Sequence, residues 1–460
     1  MGIINTPIPK IQELVSSQKE FFLSGATLHS SFRLQQLNAL SNAIDKYSKR
    51  LYEALWTDLH KSEQESFLTE ISIVQEEIRD HVKHLHKWTR PERASSVLKM
   101  FPSKSKVVKE PLGNTLIIAP WNYPVNLLLT PLVGAISSGC TAILKPSPYV
   151  ENVSTVIEEM ISEIFPENYI AVVQGDRNVN TALLEQRFDL IFFTGSPALG
   201  KVVMSAAARN LTPVILELGG KSPCIVDTGA DVAVAAKRIA WGKTLNAGQT
   251  CIAPDYLLIQ ENLRAEFIEA YRKALKELHG KDITKSRHYV RMVSQKAFDR
   301  VSSYLSCGTA LIGGMVRPED RYIEPTLLED VSLDSPVMQE EIFGPVLPMI
   351  TFKTTEDVID FVKHREKPLA LYYFGLEEVG MRVIENTSSG GACINDVIMH
   401  FTNPNVPFGG VGNSGMGCYH SKRTFDAFTH YRAVITTTTH FNPFFRYMPY
   451  RMFSLVKKLL

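Results

Sequence analysis

The chain reads as a long helical stretch followed by two rounds in which short apolar runs alternate with helical segments. From Ile11 to about Trp88, Leu34, Leu37, Ile44, Leu51 and Leu55 recur near multiples of three and four, with lysines and glutamates on the other faces. This predicts amphipathic helices that act as scaffold. Between Asn114 and Leu218 the runs Thr115 to Ala119, Thr141 to Leu144, Ile170 to Val173, Leu190 to Phe193 and Val214 to Leu216 are separated by helical or turn segments. Such alternation predicts a parallel, doubly wound sheet. A second alternation after Cys251, with Asp255 to Ile259 as strand and Glu261 to Leu278 as amphipathic helix, predicts another α/β layer. Val97 to Lys109, with Pro102 among Ser, Lys and Val, reads as an extended excursion, and the β-branched run Arg432 to Thr439 reads as a strand.

Composition narrows the function classes. With 460 residues, a formal net charge of +1 and 45% hydrophobic residues, the chain is ordinary for a soluble protein with a large core. The absence of a basic run argues against nucleic acid as a partner. The six cysteines, Cys140, Cys224, Cys251, Cys307, Cys393 and Cys418, show no paired C-x-x-C spacing, so neither a zinc site nor a disulfide framework is expected. A reducing, cytoplasmic location fits this usage, as does the lack of a leader-type start or a membrane-length apolar stretch. Two features touch on membranes. Met1-Gly2 with Thr6 satisfies a short myristoylation pattern. Residues 441–460 interleave Phe444, Phe445, Tyr447, Tyr450, Phe453 and Leu455 with Arg446, Arg451, Lys457 and Lys458, a mixture suited to weak contact with a membrane surface or to packing on the protein's own dimer.

Two short segments carry the chemistry. Asn246-Ala247-Gly248-Gln249-Thr250-Cys251 sets one cysteine in a small, polar, glycine-containing turn, a context for a nucleophilic thiol. Leu216-Glu217-Leu218-Gly219-Gly220-Lys221-Ser222-Pro223 places a carboxylate in an apolar run, where burial would raise its pKa towards that of a base working near neutral pH. Together they suggest covalent catalysis. Gly195-Ser196-Pro197-Ala198-Leu199-Gly200 follows an apolar strand and precedes a helix, so its backbone N–H groups could meet a pyrophosphate.

These blocks, and the interval from Glu217 to Cys251, resemble the signatures of the aldehyde dehydrogenase superfamily. The resemblance continues through Ala119 to Pro124, Leu144 to Ser147, Phe193 to Gly200, Glu341 to Pro345 and Pro407 to Gly410. Asn395-Asp396-Val397-Ile398 and the stretch from Pro407 to His420 look most like the class 3 branch, which acts on medium-chain, fatty and aromatic aldehydes. The resemblance implies two doubly wound α/β domains, one Rossmann-like for the cofactor and one catalytic, plus a small β arm. On that plan residues 1–96 and 110–215 would bind NAD(P), 216–415 would form the catalytic domain, 97–109 and 416–440 would bridge subunits, and 441–460 would be a tail. The arm and the late strand would then pair in a homodimer.

The resemblance also implies roles. Cys251 would attack the aldehyde, the Asn122 amide and the Cys251 N–H would hold the oxyanion, and Glu217 would activate water against the resulting thioester. For NAD or NADP, Ser196 would lie near phosphate, Lys145 would reach the adenosine ribose, Glu341 would accept the nicotinamide ribose hydroxyls and Phe343 would flank the ring. Trp121, Ser147, Gly195, Gly200 and Leu218 would complete the cofactor contacts, and no metal is expected. Where many NAD-preferring relatives carry a glutamate after the lysine motif, this chain has Pro148, which removes a like-charge penalty against the 2′-phosphate of NADP. The alternatives are an enzyme that passes the acyl group to CoA or phosphate and, in another class, a catalytically silent binding or structural relative.

Overall fold

The computed structural model describes residues 5–97, 100–442, 446–450 and 452–459. Gly2, and with it the myristoylation pattern, lies outside the described residues, as do Phe444, Phe445 and Arg451 of the tail.

The first sheet has the order Gly415–Met416, Val214–Glu217, Leu190–Thr194, Asn114–Ile118, Thr141–Lys145, Ile170–Val172. Every neighbouring pair is parallel except the first. Asn114–Ile118, Thr141–Lys145 and Leu190–Thr194 are buried at all positions, as strands covered by helices on both faces must be. This is the doubly wound sheet that the apolar runs predict.

A second sheet follows, ordered Thr309–Ile312, Thr326–Glu329, Val346–Phe352, Tyr256–Gln260, Pro223–Val226, Ala370–Phe374, Gly391–Ile394. It too is parallel, except where Thr309–Ile312 pairs with Thr326–Glu329. The domain boundary expected at 216 falls inside the strand Val214–Glu217, which belongs to the first sheet through its last residue. After the second sheet the chain returns: Gly415 lies opposite Glu217 in antiparallel register.

The third sheet is the arm. Lys104–Pro111 pairs antiparallel with Glu92–Ala94 on one side and, over eight register positions, with Thr429–Thr436 on the other. The late strand therefore begins at Thr429 and ends at Thr436, where a run from Arg432 to Thr439 was expected. Its far edge pairs with nothing among the described residues of this chain.

The N-terminal stretch is helical, with Ile8–Leu23, Ser30–Leu59, Glu63–Ser66, a π turn Phe67–Ile71 and Ser72–Thr89. One expectation fails here. Lys61, Glu65, Glu70 and Glu77 are buried, although amphipathic periodicity assigned lysines and glutamates to open faces. Buried ionisable groups need partners: Lys61, Glu65 and Glu70 find theirs in the segment Asn122 to Asn126 and at Asn246, and Glu77 finds its at His81, Ser421 and Thr424.

Candidate active site

The site gathers at the carboxyl end of the first sheet, where a doubly wound fold leaves a crevice. Glu217 ends its strand, and its carbonyl accepts from Gly195 N–H at 3.0 Å. Its side chain is buried and neither carboxyl oxygen has a hydrogen-bond partner among the described residues. Burial alone pushes its pKa well above the usual carboxylate range.

Cys251 follows the helix Val232–Thr244 and a tight turn, Leu245–Gly248. Asn246, Ala247 and Gly248 all adopt positive φ, at 51°, 51° and 73°. Such a run needs external ties. Gln249 supplies several: its amide donates to the carbonyls of Asn246 (3.0 Å) and Arg291 (3.1 Å) and accepts from Val293 N–H (3.1 Å). The Thr250 hydroxyl bonds the Tyr123 hydroxyl at 2.6 Å. A Cβ on Gly248 would stand 2.3 Å from the carbonyl oxygen of Gly344, so only glycine lets the turn before Cys251 close on the Glu341 loop. The Cys251 thiol is pushed up to about 12, first by burial and then by the Glu341 and Glu217 carboxyls. It rests protonated.

Two cavities meet at these residues. One, of about 990 Å³, is lined by Trp121, Gly195, Ser196, Glu341 and Phe343 among others. The second, of about 460 Å³, has a mainly apolar wall that includes Leu68, Trp241, Leu278, Ile398 and Phe401. Leu127, Thr194, Glu217, Leu218 and Cys251 line both. Asn122, 2% exposed, lines the larger cavity, and its amide nitrogen donates to the Gln249 carbonyl at 3.0 Å, against the turn that carries Cys251.

The larger cavity has the features of a nucleotide cleft. Ser196 caps the helix Pro197–Ala208 by accepting from Leu199 N–H, which turns the positive helix end towards the cleft. Gly200 lies against Leu218, whose Cδ2 would be 2.8 Å from an added Cβ. The rings of Trp121 and Phe343 meet edge to face with centroids 5.4 Å apart. Glu341 packs on Gly219; its Oε1 has no partner among the described residues, and burial followed by the nearby Asp255 pushes its pKa to about 8. Lys145 and Ser147, by contrast, are not among the residues lining this cleft. The Lys145 ammonium folds back onto the Pro146 carbonyl at 2.8 Å, and burial lowers its pKa to about 8.

Sequence reasoning missed Arg300 and Lys367, two cations in the cleft wall. Arg300 donates to the carbonyls of Glu341 (3.1 Å) and Ile342 (2.9 Å), which fixes the Glu341 loop. Lys221 and Asp255 brace the same loop: Lys221 bonds Asp255 and the Glu340 carbonyl, and Asp255 accepts from Ile342 N–H at 2.9 Å. Arg300 lies on an ordinary amphipathic helix, Gln295–Ser303, and no local signature marks it.

Comparison with known proteins agrees with this geometry. A model of the aldehyde dehydrogenase family matches residues 9–434. The chain is 46% identical over 418 residues to aldehyde dehydrogenase family 3 member B1 of Homo sapiens, covering 91% of this chain and 89% of that protein. It is 45% identical over 426 residues to the dimeric NADP-preferring aldehyde dehydrogenase of Rattus norvegicus, covering 92% and 94%. Among solved structures, the substrate-bound state of Staphylococcus aureus AldH superposes with a TM-score of 0.96 at 45% identity, over 98% of this chain and 99% of that one. Sequence, fold and full-length relatives agree, and the chain belongs to the aldehyde dehydrogenase family, in its class 3 branch.

Proposed function

We propose that the protein oxidises medium- to long-chain aliphatic or aromatic aldehydes to carboxylic acids, with NAD or NADP as oxidant, through a thiohemiacetal and then a thioester on Cys251. The observation that carries this reading is the junction at Cys251 and Glu217 of a cleft that bears charged side chains and a more apolar tunnel. An aldehyde lying in the tunnel would present its carbonyl to the thiol, with its apolar chain against Trp241, Leu278 and Phe401.

The cleft fits a nicotinamide dinucleotide. The capped helix end suits a pyrophosphate, the unpaired Glu341 oxygen suits ribose hydroxyls, and Arg300 and Lys367 add positive charge. Such a cofactor, held by these residues, would supply the acceptor for the hydride of the former aldehyde carbon. The chain's own residues do the rest. Cys251 sulfur bonds the carbonyl carbon, and its proton passes to the Glu217 carboxylate and from there to solvent, so that Glu217 is free to act again. The Asn122 amide and the Cys251 N–H hold the oxygen that becomes negative; one such donor is commonly worth about 10²–10³ in rate. Once hydride has left, Glu217 takes a proton from water, hydroxide adds to the thioester carbon, and the acid leaves as the thiol re-forms. A carboxyl at this position favours water over CoA or phosphate as acyl acceptor.

The test is absorbance of the reduced nicotinamide when protein, a medium-chain aldehyde and either cofactor are mixed. Turnover with both NAD and NADP is expected, without added CoA or phosphate. Pro148→Glu should lower kcat/KM for NADP about tenfold or more relative to NAD, because a carboxylate there would repel the 2′-phosphate. Native exclusion of NADP, unchanged by that substitution, would refute the assignment of Pro148.

Homodimer assembly and cytoplasmic location belong to the same reading. The open edge of Thr429–Thr436, next to the arm, supports pairing with a second copy, since exposed strand edges invite it. Light scattering should give twice the 51.6 kDa chain mass, and a monomer of full specific activity would contradict a need for assembly. All six cysteines are free, which supports a reducing compartment. No helix among the described residues is long and apolar enough to cross a membrane. The tail exposes Tyr447, Met448, Tyr450 and Phe453 near Lys457 and Lys458. Weak binding to anionic vesicles, lost on removal of residues 441–460, is the expected sedimentation result; equal binding without the tail would assign the contact elsewhere.

A further inference from the structure

Directly behind the oxyanion side of the site lies a buried charged cluster that the reaction above does not use. Lys61 is 0% exposed. Its ammonium donates to Glu70 Oε1 at 2.7 Å and to the main-chain carbonyl of Asn122 at 2.9 Å, and it lies 4.2 Å from the Tyr123 ring centroid. The other Glu70 oxygen accepts from Val125 N–H (3.1 Å) and Asn126 N–H (3.0 Å), at the start of the helix Asn126–Ser138. The Asn122 carbonyl accepts a second bond, at 3.0 Å, from the Asn246 amide, which also donates to the Gln249 carbonyl. Asn246 N–H in turn donates to Glu65 Oε1 at 2.9 Å. Residues 61–70, which run into the π turn Phe67–Ile71, thus grip both the Asn122 loop and the nucleophile turn.

Stability alone is a weak reason for such a cluster. Exchanging a buried ion pair for apolar groups of similar volume is often neutral or stabilising. What an apolar side chain could not do is donate to the Asn122 carbonyl and fix the orientation of that peptide. We propose that Lys61 is a positioning residue for aldehyde oxidation: braced by Glu70, it anchors the main chain of Asn122 so that the Asn122 side-chain amide stands where the thiohemiacetal oxygen becomes negative. The proposal rests on the reading of Asn122 as oxyanion donor. A shift of about 1 Å in a positioned catalytic group costs on the order of 10²-fold in rate.

The experiment compares Lys61→Met, the double variant Lys61→Met/Glu70→Gln, Asn122→Ala, and Lys61→Met combined with Asn122→Ala, all in the full chain. It reads kcat and KM for a medium-chain aldehyde, alkylation of Cys251 by iodoacetamide, and thermal unfolding. Alkylation at a saturated carbon creates no oxyanion, so it reports the thiol and its turn without the donor. Lys61→Met and the double variant should lose about 10- to 100-fold in kcat, with KM and alkylation changed less than about twofold. The double variant, which removes the carboxylate that Lys61 pairs with, should recover most of any lost thermal stability while keeping the kinetic deficit, and it carries the test should the single variant not fold. Asn122→Ala should lose about 10²–10³-fold, with Lys61→Met adding less than about threefold on that background. Recovery of rate together with stability in the double variant, a parallel fall in alkylation, or losses that multiply with Asn122→Ala would overturn the role of Lys61 and leave Asn122 as donor. A full-rate Asn122→Ala enzyme would overturn both.

Discussion

Replacing Cys251 by alanine is expected to remove aldehyde oxidation, with kcat falling on the order of 10⁵-fold or more, while dinucleotide affinity stays within about twofold. The cysteine is one residue among many in the cleft wall, so its loss leaves the cofactor contacts standing. Cys224, the other cysteine near a sequence motif, serves as the control. It is 0% exposed in the strand Pro223–Val226, where burial raises its thiol well above the usual range, and Cys224→Ala should keep turnover. The sign of the pH response follows from the environment of Cys251. With the free thiol pushed up to about 12, its thiolate fraction grows with pH, so alkylation by iodoacetamide should rise about tenfold per unit from about pH 7 to about pH 10. Rapid-mixing kinetics and peptide mass analysis check both points. Appreciable turnover in Cys251→Ala would contradict the assignment, and a plateau in the alkylation rate below about pH 9 would contradict only the raised thiol pKa.

Glu217→Gln should separate the two halves of the reaction. An amide cannot take a proton from water, so one burst of reduced cofactor is expected, followed by a steady rate about 10²–10⁴-fold below that of the native protein. Intact-mass measurement should find the acyl group on Cys251. The substitution is nearly isosteric and spares the anchors of this residue, since the Gly195 bond and the pairing with Gly415 both use the main chain. The raised pKa gives a further sign: the base form of Glu217 grows as pH rises, so native deacylation should speed up with rising pH and the variant's should stay flat. Steady turnover at the native rate in Glu217→Gln would exclude it as the base.

Much of this architecture is legible in the chain because buried parallel strands are written as uninterrupted apolar runs. Those runs place five strands of the first sheet to within a residue or two. The failures have physical causes. Val214–Glu217 outlasts its apolar run by one residue because the carboxyl that ends it is itself buried, and a pattern of polar and apolar letters cannot register that. Gly415–Met416 is two residues long and leaves no periodicity to detect. The late strand is set by pairing with Lys104–Pro111, so Thr437 to Thr439 fall outside it despite their β propensity. Lys61, Glu65 and Glu70 read as solvated helix faces, since periodicity tells that a face is polar and not what stands opposite. At the site, local motifs carry Cys251, Glu217, Asn122 and Ser196, whereas Arg300 and Lys367 arrive from segments whose place in the cleft is settled only by tertiary packing.

The pairing of Gly415 with Glu217 also bears on how the molecule could be rebuilt. Residues 218–414 leave the first sheet and re-enter it at facing positions, with Leu218 N–H bonded to the Ser414 carbonyl at 3.0 Å. The second α/β unit is therefore a cassette whose two ends are already joined by main-chain hydrogen bonds. A chimera that exchanges this segment with that of a relative needs no linker, and both its splice points sit beside the proposed base. Exchange of Cys251 and of the part of the apolar cavity wall that residues 218–414 carry would then proceed without moving the Glu217 carboxyl.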